Sequence, residues 1–301
     1  MSEKDPLYDS VTLLLPMCFG GGGSQAFGDF SSSPKNISVV GSVAISSNQS
    51  RYYGRSVNFP GPTGYLRTTD SIDLFAGLGD FAIECYAWKS SAPSGSVDML
   101  FHILATYGFN FEWRTDNKLG LFLHGGTTTY DVSVNTLALS AWNHIVLKRV
   151  AGVFKVILNG VLQFSRTVSK PMPTSVFYIG HDATASDRDF GPGYMCGVRI
   201  TRDDGRYPDS FSDMPGPLVV PHFPDYSPPL IAVGNNVTVS GNGAGDYVVI
   251  IDATTKELVK LVALGGVANW SDDIPEGEYY LTYFADGCQP ITHGPYTITA
   301  T

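Results

Sequence analysis

The sequence predicts an all-β protein built in two parts. Apolar and polar residues alternate in short runs, and the runs are punctuated by Gly, Pro, Asn and Asp, with 33 Gly and 19 Pro in 301 residues. No window longer than about ten residues combines a 3.6-residue period with caps at both ends, so long helices are not expected. Apolar residues make up 43% of the chain, enough for a sizeable core. Charged residues reach only 16%, against roughly 25% in ordinary soluble domains.

The elements follow in order. Phe81, Ile83, Cys85 and Ala87 fall on one face of a strand, with Glu84, Tyr86 and Trp88 on the other, as in a half-buried strand. Runs at 99–104, 108–114 and 119–124 come next, the last two joined by the polar turn Asp116-Asn117-Lys118. Runs at 143–150 and 153–158 flank Ala151-Gly152, and Asn159-Gly160 leads into 161–164. An Asn-Gly pair between apolar runs is a strong hairpin signal, because both residues tolerate positive φ. A Pro-rich linker at 216–229 separates a first domain, 1–215, from a second, 230–301. Residues 228–301 hold two lysines, no arginine and eight acids, so the tail carries six of the nine net negative charges. Its short runs at 236–240, 247–251, 257–262, 279–284 and 296–299 predict a small acidic β-sandwich.

Charge and cysteine usage exclude several functions. A net charge of −9 argues against nucleic acid, whose phosphates demand clustered Lys and Arg. No run approaches the roughly 20 apolar residues of a membrane span, and the N-terminus lacks the basic and apolar regions of an export signal. Cys18, Cys85, Cys196 and Cys288 show no CxxC spacing and read as small buried hydrophobes in a reduced compartment.

Four segments in order carry a family resemblance: RYYGRSVNFPGPTGYLRTTDSIDL (51–74), GDFAIECYAW (79–88), AWNHIVLKRVAGVFKVILNGVLQ (141–163) and CGVRITRDDGRYPDSF (196–211). Together they resemble laminin-G-like, or concanavalin-like, jelly rolls, and the last resembles those of bacteriophage virion proteins. Gly197 stands where those proteins usually carry an acid. The tail segments YVVIIDATTKELVK and PEGEYYLTYF resemble transthyretin-like or Ig-like sandwiches. The resemblance implies a non-enzymatic virion structural protein, in capsid decoration or on the tail, with a lectin-like adhesion domain. It also implies partners among other virion proteins, copies of itself and host-surface glycans, and folding in the bacterial cytoplasm. A glycoside hydrolase or a free lectin on the same jelly roll is the alternative.

The search for chemistry narrows this choice. A retaining glycosidase needs two carboxyls about 5–5.5 Å apart. The six glutamates, at positions 3, 84, 112, 257, 276 and 278, include no such pair in the first domain. Glu84 and Glu112 read as solvated strand positions, and His144 as a structural histidine. No nucleophile elbow, P-loop or HExxH is present. For a sugar, Tyr107, Trp113, Asp116, His124 and Tyr130 offer flat platforms beside polar groups, although Trp113 reads rather as core or as a subunit contact. Asp182, Asp187 and Asp189 offer hard oxygen donors for Ca²⁺, or else form a solvated polar loop with Arg188. The segment 18–35, with Phe19, Phe27 and Phe30 around four glycines, reads as a cover for the sandwich edge or as an arm onto a neighbouring subunit.

Overall fold

A computed structural model divides the chain into two compact units, one of Met1–Cys18 with Phe27–Val220 and one of Phe19–Ala26 with Pro221–Thr301. It describes residues 7–17, 23–25, 27–31, 33–52, 54–61, 63–68, 79–125, 129–168, 170–202 and 206–212, and beyond these chiefly the strands of the second unit. The 216–229 linker, Phe19, Cys18 and Cys288 lie outside the described residues. Helix is confined, among the described residues, to two three-residue 3₁₀ turns.

Among the described residues of the first unit, fifteen strands form two antiparallel sheets. In chain order they are β1 (Val11–Leu15), β2 (Ile37–Val40), β3 (Ala44–Ser46), β4 (Ser56–Phe59), β5 (Tyr65–Thr68), β6 (Phe81–Trp88), β7 (Val97–Ile103) and β8 (Phe109–Arg114). They continue as β9 (Leu119–Leu123), β10 (Thr129–Val132), β11 (Asn143–Val150), β12 (Val153–Leu158), β13 (Val161–Thr167), β14 (Phe177–Ile179) and β15 (Gly193–Arg202). The first sheet runs β13-β12-β11-β6-β15-β4-β3, with β1 beside β15; the second runs β10-β9-β8-β7-β14-β5-β2. The core lies between their inner faces.

Local chemistry sets these pairings. Asn159 and Gly160 adopt φ of 49° and 77°, and Ala151 and Gly152 adopt 49° and 76°, so both turns have the positive φ that two-residue hairpins demand. The alternation on β6 puts Phe81, Ile83, Cys85 and Ala87 wholly into the core, as expected. Its opposite face departs from expectation. Glu84 and Tyr86 are 3% and 4% exposed, because the segment 206–212 folds back over that face and lays Tyr207 and Phe211 against His144 at ring distances of 5.5 and 5.9 Å.

Glu84 therefore sits in a buried charge network rather than in solvent. Arg199 Nε donates to its Oε1 at 2.6 Å, His144 Nε2 meets its Oε2 at 3.1 Å, and the Tyr207 hydroxyl donates to it as well. Burial alone would raise this carboxyl, but Arg199, His144 and Tyr207 outweigh it and hold the group at about 2. Gly197 has its own local reason. It lies in the bulge between Cys196 and Arg199 with φ of 65°, and its N–H donates to the Pro16 carbonyl at 3.0 Å. An acid with a Cβ would be strained there.

The described part of the 18–35 segment covers the sandwich. Phe27 and Phe30 pack on the core, and Asp29 ties the turn down by accepting from the Leu14 and Ser31 N–H groups at 2.9 Å and from Lys35 N–H at 2.7 Å. In the second unit, seven strands among the described residues form two antiparallel sheets. The three-stranded one is β16 (Leu230–Val233), β17 (Asn236–Ser240) and β20 (Asn269–Asp273). The other has order β19 (Leu258–Ala263), β18 (Tyr247–Asp252), β21 (Gly277–Phe284) and β22 (Ile291–Ile298). No helix among the described residues is long and apolar enough to cross a membrane.

Candidate functional site

Phe109, Phe111 and Trp113 of β8 point into the core and are fully buried. Asn110 and Glu112 must then face outward from the second sheet. Register places Asn110 beside Phe122 and Phe122 beside Tyr130, giving one row across β8, β9 and β10. Glu112 sits beside Gly120 in the next row. Above this floor, Ser96, Val97 and Arg188 complete a cavity of about 340 Å³.

The floor is built by close approach. The Tyr130 hydroxyl donates to Glu112 Oε1 and accepts from Arg114. A Cβ on Gly120 would stand 2.8 Å from both Glu112 Oε1 and the Tyr130 hydroxyl, so only glycine leaves room for that pair. Because the obstructed atoms are the tips of side chains, Gly120→Ala is expected to keep the fold but displace Glu112 and Tyr130. Thermal unfolding within a few degrees of the parent, with loss of ligand affinity, is the result to look for. Burial pushes the Glu112 carboxyl up, opposed by the Tyr130 bond and the charge of Arg114. Desolvation and Glu112 push the Tyr130 hydroxyl up to about 12, so it stays protonated.

Behind the floor lies a histidine layer. His124 Nε2 contacts Asn110 Oδ1 at 2.6 Å, and the His102 ring stacks near His124 at 5.9 Å. His102 is fully buried, and its Nδ1 accepts the Ala183 N–H at 3.0 Å, which selects the neutral ring protonated at Nε2. Burial drives it down to about 4.

The structure brings together only part of the predicted sugar platform. Tyr130 lines the cavity, and His124 supports it through Asn110. Trp113 is core, its Nε1–H donating to Asn117 Oδ1 at 3.2 Å. Asp116 lies at an exposed turn with Arg114, and Tyr107 sits under Lys170, 5.5 Å from its ring; neither lines the cavity. Asn110, Glu112, Phe122 and Arg188 were missed. Alternation held the signal for the first three, since placing Trp113 in the core fixes Asn110 and Glu112 outside.

The three loop carboxylates are turned to different surroundings. Asp182 is fully buried, and its Oδ1 accepts from the Thr184 N–H at 2.9 Å and hydroxyl at 2.6 Å, while Oδ2 faces Arg188 at 3.4 Å. Asp189 holds His181 Nδ1 at 2.5 Å and the Thr63 N–H at 3.0 Å, and Asp187 is exposed. Among the described residues, no three His, Cys, Asp or Glu side chains are grouped to hold a metal. Asp182 and Asp189 fasten the loop that carries Arg188.

Residues 60–203 match the family described as the concanavalin A-like lectin/glucanases superfamily. The first unit is a concanavalin-like jelly roll. No curated protein sequence matches the chain. Solved structures similar to it include the botulinum neurotoxin serotype D binding domain, at 13% identity over 65% of this chain and 49% of that one, with a TM-score of 0.49. Domain 4 of a GH43 extracellular arabinanase from Geobacillus stearothermophilus, solved with arabinotriose, matches at 13% identity over 64% of this chain and 93% of its own, TM-score 0.48. A Trypanosoma rangeli sialidase bound to sialic acid matches at 12% identity over 64% and 30%, TM-score 0.44. The match spans about half of the neurotoxin chain. The cavity lies on the outer face of the jelly roll's second sheet.

Proposed function

We propose that this chain is a non-enzymatic glycan-adhesion protein of a bacteriophage particle, binding sugar in the cavity of its jelly roll. The observation that carries the binding role is the cavity floor. The Glu112 carboxylate, the Asn110 amide, the Tyr130 hydroxyl and the Arg188 guanidinium converge beside the Phe122 and Tyr130 rings. Such a set offers acceptors and donors to vicinal hydroxyls and a flat apolar edge to a ring face. Among the described residues Glu112 is the one carboxylate lining the cavity, which supports binding over hydrolysis, since a glycosidase needs a second. The virion setting rests on the four resembling segments, above all 196–211. A partner role for the acidic second unit, as a small sandwich, belongs to the same reading.

Titration calorimetry against neutral oligosaccharides tests the binding role. Saturable binding is expected, weakened about tenfold or more by Glu112→Gln or Asn110→Ala, in line with the loss of one hydrogen bond to a charged or fixed polar group. Affinity unchanged by both variants would sink the assignment, and sugar release over time would replace it with hydrolysis. Electron cryo-microscopy of intact particles tests the setting. Density on the capsid or tail supports it, and absence from particles overturns it.

A further inference from the structure

Lys89 follows β6 in one sheet and Asp98 lies on β7 in the other, and their side chains meet inside the jelly roll. The Lys89 side chain is 1% exposed and that of Asp98 9%. Among the described residues Asp98 is the hydrogen-bond partner of Lys89 Nζ, and the Phe190 ring centroid lies 5.0 Å from that nitrogen. Besides Lys89, Asp98 has among the described residues a long contact from the Gly191 N–H at 3.4 Å. A second buried carboxylate stands close by: Asp189 bridges to Met99, the neighbour of Asp98, and its charge acts on Asp98.

An ammonium and a carboxylate sealed from water recover their lost hydration only through several further hydrogen bonds, which this pair lacks among the described residues. Transfer of the proton from Lys89 to Asp98 discharges both groups and leaves a free amine against a carboxylic acid. Burial acts in this direction on each partner, lowering Lys89 and raising Asp98, while their mutual attraction opposes it. A desolvated, uncharged lysine is a nucleophile.

We propose that Lys89 and Asp98 condense into an intramolecular isopeptide bond joining the two sheets of the jelly roll. The lone pair of Nζ attacks Cγ of the Asp98 carboxylic acid and forms the C–N bond. The bond from Cγ to the acid hydroxyl then breaks, and that hydroxyl leaves with a proton from the nitrogen as one water. Nothing is oxidised or reduced, and no co-reactant is consumed.

Mass spectrometry of the full-length, denatured chain decides it. The expected mass is about 18 Da, one water, below that of the sequence. An amide on Lys89 also blocks trypsin, so residues 68–114 should emerge as one peptide lighter by one water instead of two cut after Lys89. Lys89→Arg keeps the charge but cannot form the bond, and should restore the full mass and the cut. A full-mass parent chain cleaved after Lys89 overturns the proposal. So does a chain lighter by one water but still cleaved there, which would mark cyclisation of an aspartate onto its own backbone.

Discussion

Glu84→Ala should destabilise the first unit by about 3–5 kcal/mol, the usual cost of removing one partner from a buried ion pair. At about 2–4 °C per kcal/mol for a unit of this size, the midpoint should fall by roughly 10 °C. The size comes from what stays behind. Arg199 and His144 are 6% and 1% exposed, and without Glu84 the buried Arg199 guanidinium loses its carboxylate while His144 is left against the packed Tyr207 and Phe211 rings rather than water. Replacing both Glu84 and Arg199 by apolar residues of similar volume should recover much of the loss, because no uncompensated charge remains. Differential scanning calorimetry of the two singles and the double reads this directly. A single-variant shift under about 2 °C would mean that solvent reaches the site, against the packing of 206–212.

Acidification should weaken the fold in two stages, beginning well above the carboxylate range. His102 is buried neutral, lowered from 6.5 to about 4. Between those values the unfolded chain binds a proton that the native chain refuses, so the stability present above pH 6.5 is lost as pH falls toward 4. The loss amounts to about 3 kcal/mol at the usual 1.4 kcal/mol per unit. Burial lowers His124 as well, and its contribution has the same sign. The second stage belongs to Glu84, depressed from 4.5 to about 2, whose stabilisation is present above 4.5 and disappears as pH falls to about 2. Denaturant midpoints measured from pH 7.5 to pH 3 should therefore already slope at pH 5.5. His102→Gln should flatten the upper stage and leave the lower one. A flat profile down to pH 4.5 would mean that His102 is hydrated.

Local features were legible in the sequence, and long-range coverings were not. The Asn159-Gly160 hairpin and the inward face of β6 follow from turn chemistry and a period of two. The same period says which residues share a face but never what lies over it. Glu84 read as solvated because its cover, Tyr207 and Phe211, comes from more than a hundred residues away. Glu112 read the same way, yet Tyr130 and the loop bearing Arg188 enclose it. Trp113 was ambiguous for the opposite reason: an aromatic on a strand looks alike whether it packs inward or stacks on a ligand, and only its three-residue row with Phe109 and Phe111 resolves it.

The cavity has a division of labour in its construction. Asn110, Glu112, Phe122 and Tyr130 stand on paired strands whose register cannot slip without turning core residues outward, whereas Arg188 arrives on a loop fastened by Asp182 and Asp189. The strands act as a fixed plate and the loop as an exchangeable cartridge. If the cavity binds the glycan proposed above, a lineage, or an engineer, can rewrite residues 183–188 to change which ligand is accepted while both anchoring aspartates and the plate stay as they are. Diversity among relatives of this protein should therefore gather in that short loop, with the strand positions beneath it held constant.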